Sequence, residues 1–134
     1  GKSLPHQPSI GVPLTLAGPG VRAGTTVHAP STILDLVATF LEAGGAESLP
    51  AMESQSLWPL LTGQAEATRP CVFSALDDWR VAFDGRYKLV EWGDASRRAL
   101  YDLKEDPSEA RDISGLADFD DIQCALVEHV QSYV

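Results

Sequence analysis

What this chain is short of narrows the reading before any motif is sought. It has two cysteines in 134 residues, Cys71 and Cys124, far apart, with no CxxC spacing and no histidine at ligand distance. Zinc and dithiol-redox motifs are therefore excluded, and two buried thiols acting as small hydrophobes are favoured over a disulfide. No apolar run approaches the roughly 18 residues that a membrane-crossing helix needs, and no basic-then-apolar signal opens the chain. Positive charge is also scarce, with 10 basic residues against 19 acidic ones and a formal net charge of −9. Such a balance repels nucleic acid and anionic membrane at long range, so neither is expected as a partner. Internal repeats and low-complexity tracts are absent, and the chain does not begin with methionine.

What is present is ordinary globular material, with 44% hydrophobic and 22% charged residues. That suffices for one domain with a sizeable core. The acids gather late, from Asp102 through Asp121, as expected of a solvated face. The opening Gly1-Lys2-Ser3 reads as the middle of a protein, a lysine whose partners would lie upstream.

Along the chain, residues 12–17 (Val-Pro-Leu-Thr-Leu-Ala) form a continuous apolar run closed by Gly18-Pro19-Gly20. This predicts a strand buried on both faces, as in a parallel sheet. Residues 25–29 suggest a second brief extended piece, ended by Pro30. Ser31 or Thr32 would cap a helix with Asp35 near its positive end. Ile33, Leu34, Leu36, Val37, Phe40 and Leu41 form its wide apolar face, expected to pack on a sheet, with Gly44-Gly45 as the stop. Residues 56–63 read as a short helical turn with Pro59 in its first turn. The polar segment 64–70 is the expected subdomain boundary.

Beyond it the apolar period changes to two, predicting strands over 71–76, 79–83, 87–91 and 99–103. Register reasoning favours counting Asp84, Gly85 and Arg86 into one loop. That pairs Phe83 with Tyr87 and Val81 with Leu89, and keeps lysine off the apolar face. Phe119, Ile122, Leu126, Val130 and Tyr133 mark one face of a terminal helix capped by Asp118. A meander covered by one helix is a complete small α+β unit.

Gly1-Lys2-Ser3 matches the end of a phosphate-binding loop, but that loop's serine must open a helix. Pro5 and Pro8 follow at once and a strand is expected next, so this reading fails. A different resemblance holds. Gly1-Lys2-Ser3-x-Pro5-His6-Gln7-Pro8-Ser9-Ile10-x-Val12-Pro13-Leu14, then Gly18-Pro19-Gly20, resembles the segment after the second metal-ligand motif of sulfatases in the alkaline-phosphatase superfamily. Residues 35–44 resemble that family's D-L-x-P-T-L-L-x-x-A-G helix, and residues 56–63 its S-L-x-P-L-L-x-G turn. Arg86-Tyr87-Lys88-Leu89 and residues 100–109 resemble its late strands and the Y-D-L-x-x-D-P-x-E signature. Gly-Lys-Ser-x-Pro with Gln7 leans towards the choline-sulfatase and phosphonate-monoester-hydrolase side.

The resemblance implies an α/β alkaline-phosphatase-like fragment. Residues 1–66 would be the late part of the large α/β domain. Residues 67–134 would be a small α+β subdomain, a four-stranded antiparallel sheet plus a C-terminal helix. It also implies a parent enzyme that hydrolyses sulfate, phosphate or phosphonate monoesters with a divalent metal, calcium or manganese, and a formylglycine nucleophile. A lysine placed like Lys2 would contact the transferring anionic group, neutralising charge that builds on its oxygens. His6, where relatives often carry an aromatic, is the second candidate substrate-cleft residue. Gly11 departs from the arginine often seen there, and with it from any anion contact that arginine makes.

No catalytic residue and no metal ligand is expected within these residues. Neither cysteine lies in a C/S-x-P/A-x-R motif, so the nucleophile belongs upstream and the chain alone should be inactive. His28 and His129 read as structural, and Asp77-Asp78 as a solvated turn rather than an acid–base pair. Asp102, Asp106 and Glu109 lack the glycine and alternation of an EF-hand loop. The expected partners are the remainder of the parent chain and a small ester substrate, with a homodimer through exposed apolar surface as a further outcome. The rival reading is a stand-alone binding or oligomerisation module of the same fold. The compartment stays open, the cytoplasm being preferred to the periplasm.

Overall fold

A computed structural model describes residues 4–47 and 51–132. Two compact units are present, one of Gly1–Pro13 with Cys71–Val134 and the other of Leu14–Pro70. The second break falls at the end of the polar 64–70 segment. The first departs from the expected division, because the segment up to Pro13 packs with the late sheet.

The late unit is an antiparallel meander in the order β1-β2-β3-β4, formed by Val72–Leu76, Trp79–Phe83, Tyr87–Trp92 and Arg97–Asp102. A two-residue turn joins β1 to β2, with Leu76 opposite Trp79 and Asp77 in the left-handed region at φ 51°. Aspartate tolerates that conformation better than most side chains. A helix, α4 (Asp120–Ser132), follows a single 3-10 turn at Ala117–Phe119. Its Leu126 and Val130 pack with Ala82, Leu89, Leu100 and Ile113 on one face of the sheet, with Phe119 and Ile122 at the margin. The expected stripe thus reaches the core through these four positions; Tyr133 lies outside the described residues.

The β2–β3 register differs from the expected one. Phe83 stands opposite Lys88, Ala82 opposite Leu89 and Val81 opposite Val90. The Asp84 carboxylate accepts the amides of Arg86 and Tyr87 at 2.8 and 2.7 Å, which builds a longer connection. The expected pairing assumed that lysine could not share a face with Trp79 and Val81. Strand alternation instead puts Lys88 on the face of Val90 and Trp92, fully buried. A one-residue slip reverses every side chain of a strand, so Leu89 moves to the α4 face.

The opposite face of the sheet carries Trp79, Val81 and Val90, packed against Ile10, Trp92 and Tyr101. Ile10 ends α1 (Gln7–Ile10), a single helical turn with proline in its first positions. That turn was not expected. Pro8 suits a first-turn position, where its missing N–H costs nothing.

In the other unit, α2 (Asp35–Ala43) begins after a turn in which the Asp35 carboxylate accepts the Thr32 amide at 2.9 Å. That is the reach-back half of a capping box. It ends with Gly45 left-handed at φ 71° and Ala46 bonded back to Leu41. Most of the anticipated apolar face is not buried: Ile33, Leu34, Val37 and Phe40 are 53–63% exposed, while Leu36 and Leu41 are half-buried. Buried instead are Asp35, Ala38 and Thr39. Asp35 accepts the Gln55 amide and pairs with Arg69, while the Thr39 hydroxyl accepts the Leu57 amide. These bonds tie α2 to the segment that enters α3 (Trp58–Thr62), whose Leu60 is buried.

Residues 12–17 form no strand, and Val12 and Leu14 are 65% and 46% exposed. Residues 25–29 are likewise irregular. A continuous apolar run becomes a buried strand only when neighbouring strands take up its amides and carbonyls. Among the described residues no such strand stands beside it.

Candidate functional site

The chemistry of the site begins in the turn after β4. Asp102 is placed at the strand end, where its carboxylate receives Arg86 side-on at 2.7–3.2 Å and the amides of Lys104 and Glu105 at 3.1 and 3.4 Å. The Arg86 hydrogen bond, helped by the two amides, holds the Asp102 carboxyl below the usual carboxylate range. Asp106 then closes the turn: its amide bonds to the Asp102 carbonyl, and its carboxylate takes the Ser108 hydroxyl and the Arg111 amide. The three acids that tempt a calcium reading thus have separate tasks. Asp102 and Asp106 fold the turn, and the turn delivers Glu109.

Glu109 has a left-handed backbone, φ 56°, which sends its side chain inwards until the carboxylate is almost fully buried. There it pairs with the Lys88 ammonium, itself fully buried. Lys88 Nζ also donates to the Pro5 carbonyl at 2.9 Å, and the other carboxylate oxygen accepts the Gln7 amide at 2.5 Å. His6 lies between these two anchor points, half-exposed, with Nδ1 3.4 Å from the carboxylate. The Tyr101 ring lies 5.8 Å from the ammonium. Burial pushes the Lys88 pKa below its ordinary value, against the opposing pull of Glu109. Burial likewise pushes the Tyr101 hydroxyl up.

Of the residues singled out from the sequence, Lys2 lies outside the described residues. His6 is at the Lys88–Glu109 cluster, and Gly11 follows α1 with its amide on the Gln7 carbonyl. His28 is exposed in an irregular segment, and His129 sits partly buried on α4, its carbonyl accepting the Ser132 hydroxyl. Cys71 is buried and Cys124 exposed, both as thiols. Sequence reasoning missed Lys88 and the inward role of Glu109. The available signal was a lysine at an apolar-period position of the third strand, set aside on the assumption that charge stays out of a core.

Among the described residues, no group of three or more histidine, cysteine, aspartate or glutamate side chains is placed to hold a metal ion. What the cluster can do chemically is fix a peptide segment, since every polar atom of the ion pair is turned towards Pro5, His6 and Gln7.

With that geometry in view, the comparisons with known proteins are consistent. The family model described as N-sulphoglucosamine sulphohydrolase, C-terminal, matches residues 1–133. The extracellular sulfatase SULF-1 homolog of Drosophila melanogaster is 33% identical over 104 residues, covering 75% of this chain and 9% of its own length. Arylsulfatase K of Xenopus laevis is 25% identical over 126 residues, covering 82% of this chain and 24% of its own. Among solved structures, a 2-O GAG sulfatase superposes with a TM-score of 0.73 at 25% identity, over 87% of this chain and 28% of that one. A phosphonate monoester hydrolase from Silicibacter pomeroyi gives 0.69 at 26% identity, over 87% and 27%. The chain thus spans about a quarter or less of these relatives. It belongs to the family of sulfatase C-terminal domains described by the N-sulphoglucosamine sulphohydrolase model.

Proposed function

We propose that this chain serves as the C-terminal part of a metal-dependent hydrolase of sulfate esters, with phosphate or phosphonate monoesters as the alternative substrate class. The observation that carries this reading is the unsatisfied Leu14–Pro70 unit. The apolar face of α2 lies open to water, and the run at 12–17 has no ladder among the described residues. Both are features that a larger α/β domain would cover, and the chain spans only 9% and 24% of two curated relatives, which leaves them room for such a domain. Lys2 contacts the transferring anionic group and His6 borders the substrate. The divalent metal, calcium or manganese, and the formylglycine nucleophile belong to the remainder of the parent.

The test compares the complete parent protein with this chain alone, using nitrophenyl sulfate, nitrophenyl phosphate and a phenylphosphonate monoester with calcium or manganese. The parent is expected to hydrolyse at least one ester, and the isolated chain none. Turnover by the isolated chain, or an inert parent, overturns the reading.

A further inference from the structure

Resting on that reading, we infer that Lys88 and Glu109 are positioning residues that fix the main chain on either side of His6, the described residue placed at the substrate. Both partners of the pair spend their remaining hydrogen bonds on one short piece of main chain, Nζ on the Pro5 carbonyl and Oε1 on the Gln7 amide. Those two anchors flank His6, and they hold whatever side chain stands there because they grip backbone. Pro5 and Pro8 have their φ angles set by their rings, so a segment gripped on both sides of His6 has little freedom left.

Stability alone does not account for the arrangement. A buried ion pair can usually be replaced by apolar groups of similar volume at no loss, whereas orientation by a charge-assisted clamp is lost in the exchange. Glu109 also keeps a left-handed backbone although it is not glycine, and such strain persists only where surrounding contacts impose it. Here the contacts are the Asp106 carbonyl, which takes the Glu109 amide, and the Lys88 ammonium and Gln7 amide, which hold its carboxylate.

The experiment uses the complete parent enzyme with Lys88→Met/Glu109→Met, an apolar exchange of similar volume. The control is Arg98→Met, which removes an ion pair with Glu91 between β3 and β4. The double variant is expected to keep a melting temperature no lower than that of the control. Its kcat should fall roughly 10- to 100-fold, as misplacement of a group at the substrate does, while KM changes little and the control retains its kcat. A double variant with wild-type kcat overturns the inference, as does a loss of kcat shared equally by the control. An inert wild-type parent would instead count against the hydrolase reading. In that case amide exchange at Gln7 decides: faster exchange in the double variant supports the clamp, and unchanged exchange overturns it.

Discussion

Arg86 and Asp102 show how a single contact ties the turn to pH. The Asp102 carboxyl is held below its ordinary pKa by the Arg86 hydrogen bond. Its contribution to stability is therefore present above the unfolded-state value near 3.8 and is lost as pH falls through the lower folded value. Acid unfolding followed by circular dichroism should show this, and Asp102→Asn should flatten the curve below the unfolded-state value near 3.8. Lys88 changes stability in the same direction, in the alkaline range. Its folded pKa is depressed by burial, so the cost of burying the charged form is relieved as pH rises from the folded value towards the unfolded value of 10.5. A second residue-scale prediction concerns Asp35, fully buried and bonded to Arg69 and to the amides of Thr32 and Gln55. Asp35→Ala leaves a buried guanidinium and two amides without their acceptor, and should cost about 3–5 kcal/mol by denaturant titration. Glu42→Ala, exposed on the same helix, should be near neutral.

At the scale of elements, the two longer helices differ in what their apolar faces meet. α4 turns Leu126 and Val130, 2% and 3% exposed, onto the sheet. Leu126→Ala should cost about 2–5 kcal/mol of unfolding free energy, the usual loss for a buried leucine leaving a cavity. α2 presents Val37 and Phe40 to solvent, so Val37→Ser/Phe40→Ser should change the isolated chain's stability by less than about 1 kcal/mol. The same double substitution in the parent should lower yield or melting temperature sharply, if those faces are covered there. Measuring both proteins distinguishes a helix face made for water from one made for a neighbour.

For the whole molecule, open apolar surface has a solution consequence. Patches of this kind drive association or bind hydrophobic dyes. The isolated chain should bind anilinonaphthalene sulfonate, and light scattering should show its mass rising with concentration. The Val37→Ser/Phe40→Ser variant should reduce both. A chain that stays monomeric and dye-free would indicate that the α2 face is satisfied in the chain by itself.

The sequence by itself determined the meander, the terminal helix, the short Trp58–Thr62 turn and the helix stop at Gly44-Gly45. These rest on period, capping and turn chemistry, which act over a few residues. The ordered motifs also placed the chain in its family, because their spacing is a property of the string. Tertiary structure alone decided three matters. It set the β2–β3 register, since the penalty that argued against a buried lysine is partly offset once Glu109 arrives from 21 residues away. It left residues 12–17 without a ladder and α2 with its apolar face in water, because burial depends on what stands opposite. And it made Lys88, Glu109, Pro5 and Gln7 neighbours, a grouping of long-range contacts that no local pattern announces.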